Sequence, residues 1–167
     1  MRKSDREVKS IEKIKAVIDG CDACRVGLPT EGAPYVVPLN FGYELCGGDG
    51  AGEAKLTLWF HCATEGRKLD LIDAFGSGGE CAAGFEMDTD HELVVGKSSC
   101  DFSMKYKSVI GTGVIRRAAD AEEKLHGLKA IMAHYGGDGL PFNEAILART
   151  CVLRLDASEF ACKRLDS

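Results

Sequence analysis

WFHCATEGRKLD, residues 59–70, is the most informative segment of this chain. The apolar run 56–60 leads into it and is typical of a buried β-strand, while apolar residues with helical spacing predict a short helix over 68–75. Backbone N–H groups at a helix N-terminus attract anions, and Arg67 and Lys68 bring two positive charges to the same place. The strand, the turn and the helix start therefore predict a site for a phosphorylated ligand.

The charge pair also has a simpler interpretation, in which Arg67 and Lys68 are solvated side chains at a helix start. Against this, positive charges near a helix N-terminus are disfavoured by the helix dipole, by about 0.3–1 kcal/mol each. A bound anion would remove that conflict. The residue types alone leave both interpretations open.

Composition predicts one compact domain over residues 1–167, because the chain is 45% hydrophobic and chains of this size bury about 70% of their unfolded surface. The net charge of −5 argues against general nucleic-acid binding, which calls for a basic face. Residues 1–15 lack the apolar core of a signal peptide, and no apolar run approaches the ~20 residues that span a membrane. We therefore expect a cytoplasmic protein with neither nucleic acid nor membrane as a partner.

Eight cysteines are many for a cytoplasmic chain. Cys21 and Cys24 have the CxxC spacing of half a zinc site or of a redox pair. No second pair has a similar spacing, and the motif precedes a predicted strand instead of opening a helix after one. The other six stand alone in the sequence: Cys46, Cys62, Cys81, Cys100, Cys151 and Cys162. We expect free, buried or half-buried thiols and no metal site, with a cysteine–metal or thiol-redox module as the alternative.

Six strands are predicted, over residues 24–28, 34–44, 56–62, 80–87, 106–116 and 151–155. Helices are predicted over 7–19 and 68–75, after a cap at Asp120, and over 144–148. Pro38 predicts a sheet edge or a bulge, because proline cannot donate to the ladder. Gly111 and Gly113 predict a bulge or bend. Six strands with few helices favour a small antiparallel barrel with peripheral helices.

Two segments are predicted to be connections. The glycine-rich residues 47–52 lack the Lys-Ser/Thr ending of a phosphate-binding P-loop, so a hairpin connection is the better interpretation. Residues 88–104 are polar and predict a long irregular loop, a type of segment that is often functional.

His61 has two interpretations. Strand alternation places it on the face opposite Phe60 and Cys62, so one face meets the core and the other a cleft or a subunit boundary. His61 there could contact a phosphate or a second ligand, or it could be an inert, hydrogen-bonded residue at the strand end.

Phe60-His61-Cys62 followed by Gly66-Arg67-Lys68 resembles the flavin-phosphate segment of the pyridoxamine 5′-phosphate oxidase-like split-barrel family, and most closely its nitroimidazole-resistance branch. Further segments agree with the family in the same order, at 25–28, 34–43, 85–88, 106–113 and 130–135. The resemblance spans residues 1–163. It implies a mainly β fold with peripheral helices, a six-stranded antiparallel split barrel of the FMN-binding type.

The resemblance also implies FMN as the cofactor of a homodimer, with two flavins at the two-fold interface. His61, Cys62 and Ala63 would lie with Arg67 and Lys68 around the phosphate and ribityl chain. The backbone of Val37, Pro38, Leu39 and Asn40 would follow the edge of the isoalloxazine ring, and Ser108 and Val109 would approach from the partner subunit. The resemblance assigns no catalytic residue.

Departures from the family pattern bear on activity. Asn40 stands where the oxidases carry a basic residue for the substrate phosphate, and the C-terminal Arg/His substrate signature is missing. Cys62 and Ala63 replace hydroxyl and amide side chains, which removes phosphate hydrogen bonds worth about 1 kcal/mol each.

We therefore expect an FMN-dependent reductase of small electrophiles such as nitro-aromatics, with a nicotinamide donor and a small-molecule acceptor. The alternatives are a non-catalytic FMN- or haem-binding protein and a pyridoxamine 5′-phosphate oxidase.

Overall fold

Eight β-strands form one antiparallel sheet in the computed structural model, which describes residues 4–47 and 54–165. The strands are β1 (Glu7–Val8), β2 (Cys24–Leu28), β3 (Tyr35–Leu39), β4 (Phe41–Cys46), β5 (Lys55–Ala63), β6 (Glu80–Val94), β7 (Ser103–Arg117) and β8 (Thr150–Leu165). The helices are α1 (Ile11–Asp19), α2 (Arg67–Phe75), α3 (Ala121–His134) and α4 (Glu144–Ala148). The strand order is β3-β2-β6-β7-β8-β5-β4, with β1 beside β8. None of the helices in the described ranges is long and apolar enough to cross a membrane.

The two edges of the sheet belong to one continuous segment of chain. β3 and β4 lie at opposite ends of the strand order, yet only Asn40 separates them in sequence. The edges must therefore approach each other at Asn40, which curls the sheet into a barrel that is not closed. The mainly β, antiparallel split-barrel fold with peripheral helices is confirmed.

The strand count differs from the six predicted for two reasons. Residues 34–44, predicted as one strand, form β3 and β4, and the exposed Pro38 lies in the edge strand β3, as predicted. Glu7 and Val8 pair with Lys163 and Cys162 of β8, so they form β1 and α1 begins only at Ile11. A two-residue strand has no periodicity that the sequence could reveal.

The prediction of an irregular loop at residues 88–104 was wrong. β6 and β7 continue through most of this segment and stay paired as far as Val94 and Ser103, with a register shift between Thr89 and Glu92. Most side chains here are exposed or half-buried, so the segment lacks the alternation by which a half-buried strand is recognised.

β8 is likewise longer than predicted and continues to Leu165 along β7. The register shift between Thr112 and Gly113 is the predicted bulge. A Cβ atom on Gly113 would lie 2.2 Å from the carbonyl oxygen of Asp156, so only glycine fits there. The glycine-rich connection lies mostly outside the described residues, but β4 and β5 on either side of it pair with Cys46 opposite Lys55.

Two hydrophobic clusters lie on opposite faces of β5. Phe60 is buried in the barrel core, whereas the neighbouring Trp59 is buried beneath α3 with Leu128 and Ile131. Both faces of this strand are therefore covered, which explains its unbroken apolar run. A Cβ atom on Gly42 would lie 2.3 Å from the backbone of α3, so glycine here allows the helix to pack closely on the sheet.

Glu123 joins α3 to the sheet. Its carboxylate accepts hydrogen bonds from Arg116 at 2.6 and 2.8 Å, from Arg154 at 2.9 Å and from the backbone N–H of Ala119 at 2.6 Å. Arg116, together with the other donors, lowers the pKa of Glu123 to about 2. The predicted cap of the helix is confirmed, since the Asp120 carboxylate accepts from the Glu123 N–H.

We expect Glu123→Gln to lower the free energy of unfolding by roughly 2 kcal/mol at pH 7, because it weakens charge-assisted bonds. The folded-state pKa of Glu123 is depressed from 4.5, so its stabilisation is present above that pH and is lost as the pH falls towards 2. Urea unfolding at pH 7 and pH 3 should show a smaller pH effect in this variant. The matched control is Glu122→Gln, an exposed neighbour in the same helical turn. An unchanged pH effect would contradict the assignment.

Candidate functional site

The start of α2 has free backbone donors. The helix begins at Arg67, one residue before the predicted start, after Gly66 at a φ of 128°. The Gly66 carbonyl accepts from the N–H groups of Leu69 and Asp70, and no side chain caps this end. The first N–H groups of the helix are thus directed outward without an intrahelical acceptor, an arrangement suited to an anion.

Arg67 connects α2 to the edge of the sheet. Its guanidinium carbon lies 4.8 Å from the centre of the Tyr35 ring on β3, a cation–π contact. Lys68, the next residue, is half-buried and lies close enough to Cys62 to favour its thiolate. The two cations predicted from the sequence therefore lie between β3 and the end of β5.

A third cation, Arg117, was missed by the sequence analysis. It ends β7, and its Nη2 donates to Asp73 of α2 at 2.7 Å while its Nη1 lies 3.7 Å from the Cys151 sulfur. The only signal in the sequence is that a basic pair ends a strand, and nothing local links that pair to α2. We refer to Arg67, Lys68 and Arg117 as the α2 cation cluster, since each lies on or against this helix.

β3 offers backbone groups to a ligand. It is the terminal strand of the sheet, so in the described part of the chain only its β2 side is paired with a strand. Val37 and Leu39 are half-buried, whereas Pro38 and Asn40 are exposed. The Asn40 amide donates to the Tyr135 hydroxyl at 3.2 Å, and that hydroxyl donates to the carbonyl of Asp22. A neutral, already bonded amide thus occupies position 40.

His61 is exposed on the opposite face of β5 from Phe60, as the alternation predicted. It lines a cavity of about 390 Å³ between the sheet, α3 and α4. The other side chains around this cavity are mostly apolar, among them Leu128, Ile131, Met132, Phe142 and Ile146. Cys62 packs against the barrel core, so the structure does not bring His61 and Cys62 to the same face. Ala63 is the exposed last residue of β5.

Ser108 and Val109 lie far from the α2 cation cluster within one chain. Arg117 is nine positions after Ser108 in β7, about 30 Å along the strand at its usual rise. The Val109 side chain is 0% exposed and belongs to the barrel core, so only its backbone is available to a ligand. These two residues can complete the site only if a second subunit supplies them.

Two groups of cysteines differ in their surroundings. All eight thiols are free, and six are buried or half-buried as expected, whereas Cys46 and Cys100 are exposed. Burial raises the pKa of both Cys21 and Cys24 to about 12, which makes them poor nucleophiles. Within the described ranges no three His, Cys, Asp or Glu side chains are arranged to hold a metal ion. Cys62 and Cys151, which stand alone in the sequence, face each other across β5 and β8.

Comparisons with known proteins give one family model and several solved structures of the same fold. The sequence model of pyridoxamine 5′-phosphate oxidase matches residues 10–164. A "putative 5-nitroimidazole antibiotic resistance protein" from Bacteroides thetaiotaomicron is similar in structure, with a TM-score of 0.72, 30% identity, and coverage of 95% of this chain and 86% of that one. A comparison with curated proteins gives no match.

Two further solved structures share the fold at lower identity. One is an FAD- and haem-binding protein from Mycobacterium smegmatis, with a TM-score of 0.77, 20% identity, and coverage of 97% of this chain and 74% of that one. The other is a flavocytochrome from Azotobacter vinelandii, with a TM-score of 0.74, 21% identity, and coverage of 100% and 75%.

Proposed function

This chain belongs to the pyridoxamine 5′-phosphate oxidase family, and from that premise we propose that it is an FMN-dependent reductase of small electrophiles such as nitro-aromatic compounds. The observation that carries the proposal is the α2 cation cluster, which lies beside free N–H groups at a helix start and next to an edge strand. FMN, when bound, supplies the hydride and electron chemistry.

The residues of the cluster have distinct roles in this proposal. Lys68 and the first N–H groups of α2 bind the phosphate, and Arg67 is held over Tyr35 in a position to add a second charge. The Asp73 carboxylate orients Arg117 towards Cys151. The unpaired edge of β3, at Val37, Pro38 and Leu39, suits the polar end of a flavin ring.

Asn40 favours an uncharged substrate. Its amide carries no charge and is already bonded to Tyr135, so it provides no counter-charge for a substrate phosphate. A dianionic substrate without a charged partner loses several kcal/mol of binding. A neutral nitro-heterocycle needs no such partner, which is why we favour this class over pyridoxamine 5′-phosphate.

A second candidate function is a non-catalytic holder of flavin or haem. The observation in its favour is the cavity of about 390 Å³, where His61 faces mostly apolar side chains. An imidazole nitrogen in an apolar pocket is a common ligand of haem iron. Two structures of the same fold are described as a haem-binding protein and a flavocytochrome.

We also infer a homodimer in which each flavin lies between subunits, and a cytoplasmic location. Several large apolar side chains are exposed in β7 and just before it. They include Phe102 at 51%, Met104 at 44% and Ile110, the residue after Val109, at 44%. An exposed apolar surface of this kind is typical of an interface. The eight free thiols fit a reducing compartment.

The test begins with the purified protein reconstituted with FMN. We expect a flavin absorbance spectrum, anaerobic bleaching by a reduced nicotinamide, and reoxidation by a nitro-heterocycle, with negligible oxidation of pyridoxamine 5′-phosphate. Rapid oxidation of pyridoxamine 5′-phosphate would instead identify an oxidase. Bound FMN that no donor bleaches, or a haem Soret band after reconstitution with haem, would favour the holder.

A further inference from the structure

Cys62 and Cys151 form the one cysteine–cysteine pair in the strand registers of the described residues. They are directly opposite each other on the antiparallel strands β5 and β8. Opposed residues in such a ladder have Cα atoms about 4.5 or 5.5 Å apart, depending on the type of pair. Both spacings fall within the roughly 4.4–6.8 Å range of disulfides, so a bond can form without moving the strands.

Three positively charged side chains lie near this pair of cysteines. The Nη1 atom of Arg117 lies 3.7 Å from the Cys151 sulfur, and Lys68 and Lys124 also favour thiolates here. The Cys62 thiol and, after it, the Arg117 guanidinium lower the pKa of Cys151 to about 6. The same hydrogen bond and burial raise the pKa of Cys62. The Arg117 guanidinium against the Cys151 sulfur therefore makes Cys151 the favoured position for a thiolate in this pair.

Both residues are half-buried, so the pair lies at the protein surface and not within the core. The other non-exposed thiols differ in this respect: Cys21, Cys24, Cys81 and Cys162 are buried and their pKa values are raised. Exposed Cys46 faces Lys55 across its strand pair, so it has no thiol opposite it. Among the cysteines in the described strands, only Cys62 and Cys151 combine a cysteine directly opposite, a nearby positive charge and partial exposure.

We propose that Cys62 and Cys151 are a redox site that low-molecular-weight disulfides such as oxidised glutathione convert to a cross-strand disulfide. The Cys151 thiolate attacks one sulfur of the small disulfide, which forms a mixed disulfide and releases one small thiolate. Cys62 then gives its proton to that thiolate and attacks the Cys151 sulfur, which forms the protein disulfide and releases the second thiolate. Two electrons pass from the protein thiolate and thiol to the small disulfide, which leaves as one thiol and one thiolate.

Oxidised glutathione and peptide mapping by mass spectrometry test the proposal. We expect the purified protein to lose two hydrogens in mass and to yield one linked peptide pair containing Cys62 and Cys151. In Cys62→Ser, Cys151 should instead keep the glutathione as a stable mixed disulfide. In Cys151→Ser, Cys62 should react more slowly than Cys151 does, because the Arg117 guanidinium lies against the sulfur at position 151. Cys46→Ser is the control and should behave like the unsubstituted protein.

A second measurement tests the effect of the Arg117 charge on Cys151. Alkylation of Cys151 by iodoacetamide should show a midpoint below the ordinary thiol pKa, and Arg117→Gln should move that midpoint upward. A stable glutathione adduct on Cys151 in the unsubstituted protein would overturn the proposal. A disulfide between any other two cysteines, or both thiols still open to alkylation after oxidation, would also overturn it.

Discussion

Replacing Lys68 by alanine should weaken FMN binding by roughly ten- to a hundred-fold, and Arg67→Ala should have an effect of similar size. Hydrogen bonds to charged groups are worth about 1.5–3 kcal/mol, which converts to losses of that order. Arg67→Ala also removes the contact with the Tyr35 ring that links α2 to β3. The two substitutions together should reduce the affinity further than either alone.

Fluorescence titration with FMN and with riboflavin separates the phosphate from the ring. Riboflavin lacks the phosphate, so its weaker binding should be nearly the same in the variants and in the unsubstituted protein. Lys129→Ala, which removes an exposed lysine from α3, is the matched control for loss of charge. Unchanged FMN affinity in both variants would show that the phosphate does not bind at the start of α2.

Elements with local signals could be predicted from the sequence. The start of α2 was predicted from apolar residues with helical spacing, and the structure moves it by one residue. β2 and α4 have the predicted bounds, because turn or capping residues enclose each of them. The Asp120 carboxylate caps α3 by accepting a hydrogen bond from the N–H of Glu123. This contact lies within one helical turn.

Features that depend on distant parts of the chain could not be predicted. Arg117 meets α2 through Asp73, and Cys62 meets Cys151 only because β5 and β8 are neighbours in the sheet. The whole of α2, β6, β7, α3 and α4 lies between Cys62 and Cys151 in the sequence. A register between distant strands is set by the whole sheet, so the composition of either segment does not reveal the pair.

The site implied by the family resemblance is divided in the structure. The α2 cation cluster and β3 lie at one end of the barrel, whereas Ser108 is about 30 Å along β7 from Arg117. In the proposed homodimer, one chain holds the phosphate site and the other brings Ser108 and the backbone of Val109. Ile110, the next residue, is 44% exposed although Val109 is 0% exposed, so an apolar side chain faces outward there.

Ile110→Lys should convert the dimer to a monomer and weaken FMN binding by a hundred-fold or more. A stable interface buries about 1,000 Å² or more, and removing two lysine charges from water within it would cost several kcal/mol. Lysine is chosen because Glu86 is directly opposite Ile110 on β6, so the folded subunit should tolerate the new charge. Ile146→Lys places the same charge on the exposed face of α4 and is the matched control. Sedimentation velocity at micromolar concentration, with and without FMN, measures both effects. A monomeric unsubstituted protein that still binds FMN would contradict the shared site, because Ser108 and Val109 could not then reach the flavin.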